Sequence, residues 1–212
     1  DPNVYTEIRL TATDSGGVSI TTVINIYVNN SVSPDGDFVQ NRLFEEADPA
    51  NPAKPNHWIP AKWGINTPTF TYPVAGYEGG ASKAAQITMS GYTSGDAKWS
   101  FDPARVRENT DFTFSNYYMA TVPTRLVAEF GYVNGAYTYL ELAALSPAAT
   151  WTKATANFKT PLGTRSVNIY HIIESNGILT VDTYSLRLSS ATPPPPPSTN
   201  LITNPSLETA NG

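Results

Sequence analysis

The stretch Arg125-Leu-Val-Ala-Glu-Phe-Gly-Tyr-Val-Asn-Gly-Ala-Tyr-Thr-Tyr-Leu-Glu-Leu142 alternates side-chain character on both sides of Val133-Asn134-Gly135, the pattern of an antiparallel hairpin. Successive side chains of a strand point to opposite faces, so a register is acceptable only if both faces come out chemically consistent. A three-residue loop with Gly135 in the left-handed conformation pairs Tyr132 with Ala136. One face then carries Leu126, Ala128, Phe130, Tyr132, Ala136, Thr138, Leu140 and Leu142, and reads as a core face. The other carries Arg125, Val127, Glu129, Gly131, Tyr137, Tyr139 and Glu141. A two-residue Asn-Gly turn would instead set Glu141 beside Phe130 and Tyr132 and leave Leu140 and Leu142 with Glu129, mixing the faces. The bulged loop is preferred.

The same alternation recurs along the chain. Between Asp37 and residue 190 about eight or nine short strands are predicted, divided by turn residues, and helical spacing is sustained nowhere. In Phe112-Thr-Phe-Ser-Asn-Tyr-Tyr118 the core set is Phe112, Phe114 and Tyr118, which turns Tyr117 outward. In Val167-Asn-Ile-Tyr-His-Ile-Ile173 the core set is Val167, Ile169 and Ile173, which turns Asn168, Tyr170 and Glu174 outward. His171 falls on the inward parity and reads as a hydrogen-bonded core histidine. If these strands share a sheet with the 125–142 hairpin, Tyr117, Tyr137, Tyr139 and Tyr170 line one cleft.

Composition agrees with a β-rich exported protein: of 212 residues only 15% are charged, while Tyr (12), Thr, Ser, Pro and Gly are plentiful. A net charge of −5, with no basic stripe, argues against nucleic acid as a partner. The absence of cysteine excludes disulfides and thiolate metal sites. No apolar run is long enough to insert in a membrane.

Two features suggest a slice of a longer modular protein. Asp37-Phe-Val-Gln-Asn-Arg-Leu-Phe-Glu-Glu46 is echoed by Asn200-Leu-Ile-Thr-Asn-Pro-Ser-Leu-Glu-Thr209, after the spacer Pro193 to Pro197. Ahead of the first copy, residues 4–13 and 18–28 alternate about Asp14-Ser-Gly-Gly17 and read as a second hairpin. The expected organisation is a hairpin fragment at 1–30, a linker at 31–36, a complete module at 37–190, a proline-rich linker at 191–199 and the start of a second copy at 200–212. Neighbouring modules of the same chain are then partners.

From Asp37 to Ser189 the chain resembles jelly-roll carbohydrate-binding modules of the broad group containing families 4, 9 and 22. The resemblance is carried, in order, by Asn41-Arg-Leu-Phe-Glu45, Trp58, Ala84-Ala-Gln-Ile-Thr, Asp111-Phe-Thr-Phe-Ser, Trp151-Thr-Lys-Ala-Thr-Ala-Asn-Phe158 ahead of Pro161, and Leu179-Thr-Val-Asp-Thr-Tyr-Ser-Leu186. Glu7-Ile-Arg-Leu-Thr-Ala-Thr-Asp-Ser-Gly-Gly17 is similar to the last two strands of PKD-type immunoglobulin-like domains. These resemblances imply an all-β jelly-roll sandwich preceded by an immunoglobulin-like hairpin, and a non-catalytic module of a secreted or cell-surface, bacterial protein. They also imply a structural calcium held by Glu45 and Asp182, with backbone oxygens and Asp48 to complete it, although many relatives carry Asp-Asp where this chain has Asp182-Thr183. Trp58 and Trp151 match packing positions of the group.

Sugar rings present flat C–H faces that stack on aromatic rings, and rims of hydroxyls that suit carboxylate, amide and guanidinium groups. A glycan or polysaccharide is therefore the expected partner, with Tyr137, Tyr139, Tyr117 and Tyr170 as stacking residues and Glu129, Glu141, Arg125 and Asn168 as hydroxyl ligands. Trp99 alternates with Ala97 and Phe101 and reads as core; Trp63, without a periodic partner, reads as a ligand residue at a rim. The competing readings are plain. Tyrosines are common strand formers, and jelly-roll repeats also build structural or adhesive stalks. Glu129 and Glu141 raise the question of glycoside hydrolysis, but no Ser/His/Asp arrangement or metal-ligand spacing accompanies them, so no enzyme activity is expected of this stretch.

Overall fold

The computed structural model describes residues 5–27 and 36–189. Two units are described, and every element in them is a strand. The first is a hairpin of β1 (Tyr5–Thr13) and β2 (Ser19–Tyr27), in continuous antiparallel register from Tyr5↔Tyr27 to Thr13↔Ser19. Its turn is built by Asp14, whose carboxylate accepts the N–H groups of Gly16 and Val18. The immunoglobulin-like relationship of this hairpin remains an expectation. The linkers expected at 31–36, apart from Gly36, and at 191–199, and the second copy expected at 200–212, lie outside the described residues.

The second unit holds β3 (Ala47–Asp48), β4 (Asn51–Pro55), β5 (Trp58–Trp63), β6 (Thr67–Ala75), β7 (Lys83–Ser90), β8 (Asp96–Phe101), β9 (Ala104–Arg105), β10 (Asp111–Ala120), β11 (Thr124–Tyr132), β12 (Tyr137–Leu145), β13 (Ala148–Lys159), β14 (Thr164–Ile173) and β15 (Gly177–Leu188). They form a sandwich. A six-stranded front sheet runs β12-β11-β14-β8-β5, with β9 paired to β14, and a five-stranded back sheet runs β13-β10-β15-β7-β6. The number of strands exceeds the expected eight or nine because short pieces such as β3, β4 and β9 carry no readable alternation.

One core fills the space between the sheets, as the two-layer rule requires. Trp58, Phe44 and Tyr184 meet at its centre, with ring centroids 4.4 Å apart for Phe44–Trp58 and 4.9 Å for Trp58–Tyr184. Trp99, Phe101, Phe112, Phe114 and Phe130 are also fully buried, which bears out the inward parities assigned to their strands. The module closes where its first and last segments meet: Phe38 N–H donates to the Leu186 carbonyl, and Tyr184 N–H to that of Arg42. Asn41 explains the asparagine of the repeated phrase, since its amide donates to the Glu46 and Asn56 carbonyls while its own oxygen accepts Glu46 N–H.

The decisive hairpin forms with the bulged loop. Tyr132 N–H donates to the Ala136 carbonyl, Gly135 N–H to that of Tyr132, and Gly135 has φ of 79°. Pairing runs from Gly131↔Tyr137 to Val127↔Glu141, then shifts so that Leu126 faces Ala143. Leu142 is thus the residue that leaves the expected pattern, an irregularity alternation cannot announce. The core-face expectation also fails for Ala136, beside the loop, and for Thr138 and Leu140, which are exposed because β12 is an edge strand that overhangs the core.

Candidate functional site

Cross-strand partners share a face, so the register assigns the outer surface of the front sheet residue by residue. From β12 come Tyr137, Tyr139 and Glu141; from β11, Arg125, Val127, Glu129 and Gly131; from β14, Asn168 and Tyr170. From β8 come Asp96, Lys98 and Ser100, and from β5 their partners Trp63, Ala61 and Ile59. Eight of the nine expected ligand residues therefore lie on one sheet face. The exception is Tyr117: β10 belongs to the back sheet, so the shared cleft expected for four tyrosines is corrected to three.

The eight do different work. Tyr139 is 64% exposed and Tyr137 58%, so both offer ring surface to solvent. Tyr137 lies over Gly131, where an added Cβ would stand 3.2 Å from its ring. Tyr170 is 8% exposed, its hydroxyl donates to Glu129 at 2.8 Å and the Lys98 ammonium sits 4.9 Å from its ring centroid. It supports rather than stacks. Asn168, 1% exposed, spends its amide group on Ser100 Oγ and the Phe101 carbonyl, tying β14 to β8, and is corrected from a hydroxyl ligand to a brace. Arg125 bridges Glu141 at 3.2 Å and Glu174 at 3.1 Å. Trp63 stands 63% exposed on β5, four strands across the sheet from Tyr139, a lateral offset of about 19 Å at ordinary strand spacing.

Glu129 is the electrostatic centre of this surface. Its carboxylate, cross-strand from Tyr139, pushes that phenol up to about 12, with partial burial adding to the effect. Burial raises the Tyr170 phenol, and the same carboxylate raises it further. Both phenols therefore stay protonated at neutral pH, and that of Tyr170 donates to Glu129. Lys98 pairs with Asp96 at 2.6 Å on the floor beside them. Sequence reasoning missed Asp96, Lys98 and Ser100, although the signal was present: placing Trp99 in the core by its alternation with Ala97 and Phe101 already put these three on the opposite face.

Elsewhere the tryptophans divide as the strand parities dictate. Trp58 and Trp99 are core, as expected. Trp151, expected to pack, is instead half-buried on the outer side of the back sheet, edge-on to Tyr77 with centroids 6.2 Å apart. His171 is 1% exposed and hydrogen-bonded, Nδ1 to the Asn116 amide and Nε2 to the Thr124 hydroxyl, both at 2.9 Å. The residues expected at the calcium position come near each other. Asp182 accepts N–H groups from Tyr77 and Thr183, and Glu45 accepts Lys83 N–H at 3.0 Å. Burial, with a smaller contribution from Glu45, raises the Asp182 carboxyl to about 6. Asp48 does not join them: it pairs with Lys54 and caps Ala50 and Asn51. Among the described residues no three His, Cys, Asp or Glu side chains cluster as a metal site, and no helix is long and apolar enough to cross a membrane.

No family model matches this chain, and no curated protein matches it. Solved structures do share its architecture. The enzymatically active domain of tailspike protein 4 of bacteriophage CBA120 aligns at a TM-score of 0.55 and 15% identity over 74% of this chain and 22% of that one. The C-terminal family 22 carbohydrate-binding module of Clostridium thermocellum Xyn10B aligns at 0.51 and 12% identity, over 74% and 98%. The tandem family 22 modules of Paenibacillus barcinonensis Xyn10C align at 0.50 and 20% identity, over 73% and 45%. The chain thus spans about a fifth of the tailspike domain and under half of the tandem. At these identities the likeness shows the fold. It is the all-β jelly-roll sandwich of carbohydrate-binding modules, as the sequence resemblance implied.

Proposed function

We propose that the module at 37–189 is a non-catalytic carbohydrate-binding module that holds a polysaccharide across the outer face of its front sheet. The observation that carries this reading is the trio Tyr139, Glu129 and Tyr170. An exposed ring stands cross-strand from a carboxylate that the Tyr170 hydroxyl holds in place, so a stacking surface and a hydroxyl acceptor are fixed side by side before any ligand arrives. Tyr137 extends the platform, the Arg125–Glu141–Glu174 bridge supplies further polar contacts, and Trp63 marks the far edge. The separation of Trp63 from Tyr139 suits an extended chain rather than a single sugar. A binding role rather than hydrolysis fits the same facts, because Glu141 is engaged by Arg125 and Glu129 by Tyr170. A glycan-binding module within a modular protein implies an extracellular setting, with further modules beyond 190.

Affinity gels cast with soluble glucans, xylans, mannans or pectins test this, alongside pull-downs on cellulose and chitin. At least one polymer should retard the chain, and Tyr139→Ala should weaken that retention by about 1 kcal/mol or more, roughly fivefold, while the melting temperature holds. A folded chain that binds nothing in the panel overturns the reading in favour of a structural or adhesive module.

The calcium belongs to this proposal. Glu45 and Asp182 would hold it together with main-chain carbonyls, and the fit rests on the raised Asp182 carboxyl, a buried anion beside a second anion that gains from a cation between them. The ion would tie the opening segment to β15 and take no part in sugar contact. Calcium at millimolar concentration should raise the melting temperature of the wild-type chain by several degrees and that of Asp182→Asn by less than one. Equal shifts in both, or none in either, remove calcium from the account.

A further inference from the structure

The outer surface of the back sheet carries an aromatic cluster that the front-face site does not use. Tyr117 of β10 stacks on Tyr77 from the β6–β7 turn, with centroids 3.7 Å apart and planes 18° apart. Trp151 of β13 meets Tyr77 edge-on, and the Lys153 ammonium lies 5.9 Å from the Tyr117 ring centroid. Beneath them the Asp182 carboxylate accepts Tyr77 N–H at 2.7 Å, which fastens the turn to the sheet. The cluster is therefore positioned by the fold.

A groove of about 490 Å³ opens further along the same strands, lined by Gln86, Met119, Thr121, Pro147, Ala149 and Thr180 among others. Met119 is two residues from Tyr117 on the same face of β10, a step of about 7 Å, and Ala149 is two residues from Trp151. Gln86 and Thr180 are neighbours across β7 and β15, and the Gln86 amide donates to the Thr180 hydroxyl at 3.0 Å. Among the described residues none that lines this groove is charged. An uncharged occupant with apolar faces and hydroxyl rims matches a surface made of methionine, alanine, proline, threonine and glutamine, with the stacked rings two residues further along β10.

We propose that this groove is a second glycan site, taking a neutral oligosaccharide with the Trp151–Tyr77–Tyr117 cluster as its aromatic end wall. It lies on the opposite sheet from Tyr139, so it does not depend on the front-face reading. Tyr117 then has a sugar-binding role after all, in a different site from the one its sequence pattern suggested.

The 212-residue chain has two methionines, one in the groove and Met89 in the core, so the whole chain, methyl-labelled, reports ligand and fold through separate NMR signals. Titration with cellohexaose, xylohexaose, laminarihexaose and mannohexaose should move the Met119 methyl saturably with at least one of them and leave Met89 in place. Trp151→Ala should weaken that response about fivefold or more, and Tyr139→Ala should leave it unchanged. Ala149→Arg, which fills the groove from an exposed wall position without touching the core, should abolish it. A Met119 signal unmoved by all four sugars, in a chain whose Met89 signal shows it folded, overturns the inference whatever the affinity gels show. So does a response lost in Tyr139→Ala, because it would then report the front face.

Discussion

Two buried titratable residues pull the acid stability of this protein in opposite directions. Burial lowers the His171 imidazole to about 3, and its bonds to Asn116 and Thr124 use the ring in its neutral form. An unfolded histidine protonates near 6.5, so between about 3 and 6.5 the unfolded state binds more protons and stability rises with pH. Asp182 is the reverse case: raised to about 6 when folded and near 3.9 when unfolded, it makes the folded state the better proton binder, so its contribution falls as pH rises through about 4 to 6. With calcium chelated the two slopes offset in that window, each tenfold difference in proton affinity between the folded and unfolded states being worth about 1.4 kcal/mol. Urea unfolding at stepped pH should therefore show stability rising more steeply between pH 4 and 6 in Asp182→Asn than in wild type. In His171→Gln it should fall over the same window. A His171→Gln chain whose stability still climbs there would mean that another group governs the acid limb.

At the scale of elements, the β11–β12 hairpin joins fold to function. Gly131 lies where β11 meets both β12 and β14, and a Cβ there would come 2.5 Å from Ser166 Oγ and 3.2 Å from the Tyr137 ring. Gly131→Val should therefore lift Tyr137 from the sheet and crowd β14, costing on the order of 1–3 kcal/mol of stability and reducing polysaccharide retention. A variant with wild-type melting and retention would show that the close approach is not needed. This hairpin was also the most legible element of the sequence, because a wrong register would have mixed leucines with glutamates on one face. The bulge at Leu142 was not legible, since either neighbour can fill that position, and neither was the exposure of Leu140, which depends on β12 lying at an edge. Sheet membership was the larger blind spot. Parity turned Tyr117 and Tyr170 outward correctly, but it is a property of one strand, and only the pairing of β10 with β13 and β15 shows that Tyr117 faces away from Tyr170. Asn168 and Tyr170 were read as ligands because outward was equated with exposed, whereas Lys98, Asp96 and their own hydrogen bonds cover this floor.

For the molecule as a whole, the question is how much of the chain the module needs. Among the described residues its core cluster draws on side chains from Val39 to Leu186, and its ends are latched by Asp37. That carboxylate is fully buried and accepts Leu186 N–H at 3.0 Å, the Ser185 hydroxyl at 2.7 Å and the Arg187 guanidinium at 3.2 Å. A buried charge is tolerable only when bonded in this way, so Asp37 fixes where the module begins as firmly as the aromatic core fixes its middle. The repeated phrase starts at this residue, but the sequence offered no reason for its being an aspartate, because its partners lie about 150 positions away. A fragment of residues 36–189 retains every one of these bonds. It should therefore unfold in a single transition, with a midpoint within about 3 °C of the full chain, since a change of 1 kcal/mol moves a domain of this size by about 2–4 °C. Differential scanning calorimetry of the two proteins decides this. A fragment that melts much lower would mean that the N-terminal hairpin or the C-terminal segment buries part of the sandwich, and the boundary drawn at Asp37 would have to move outward.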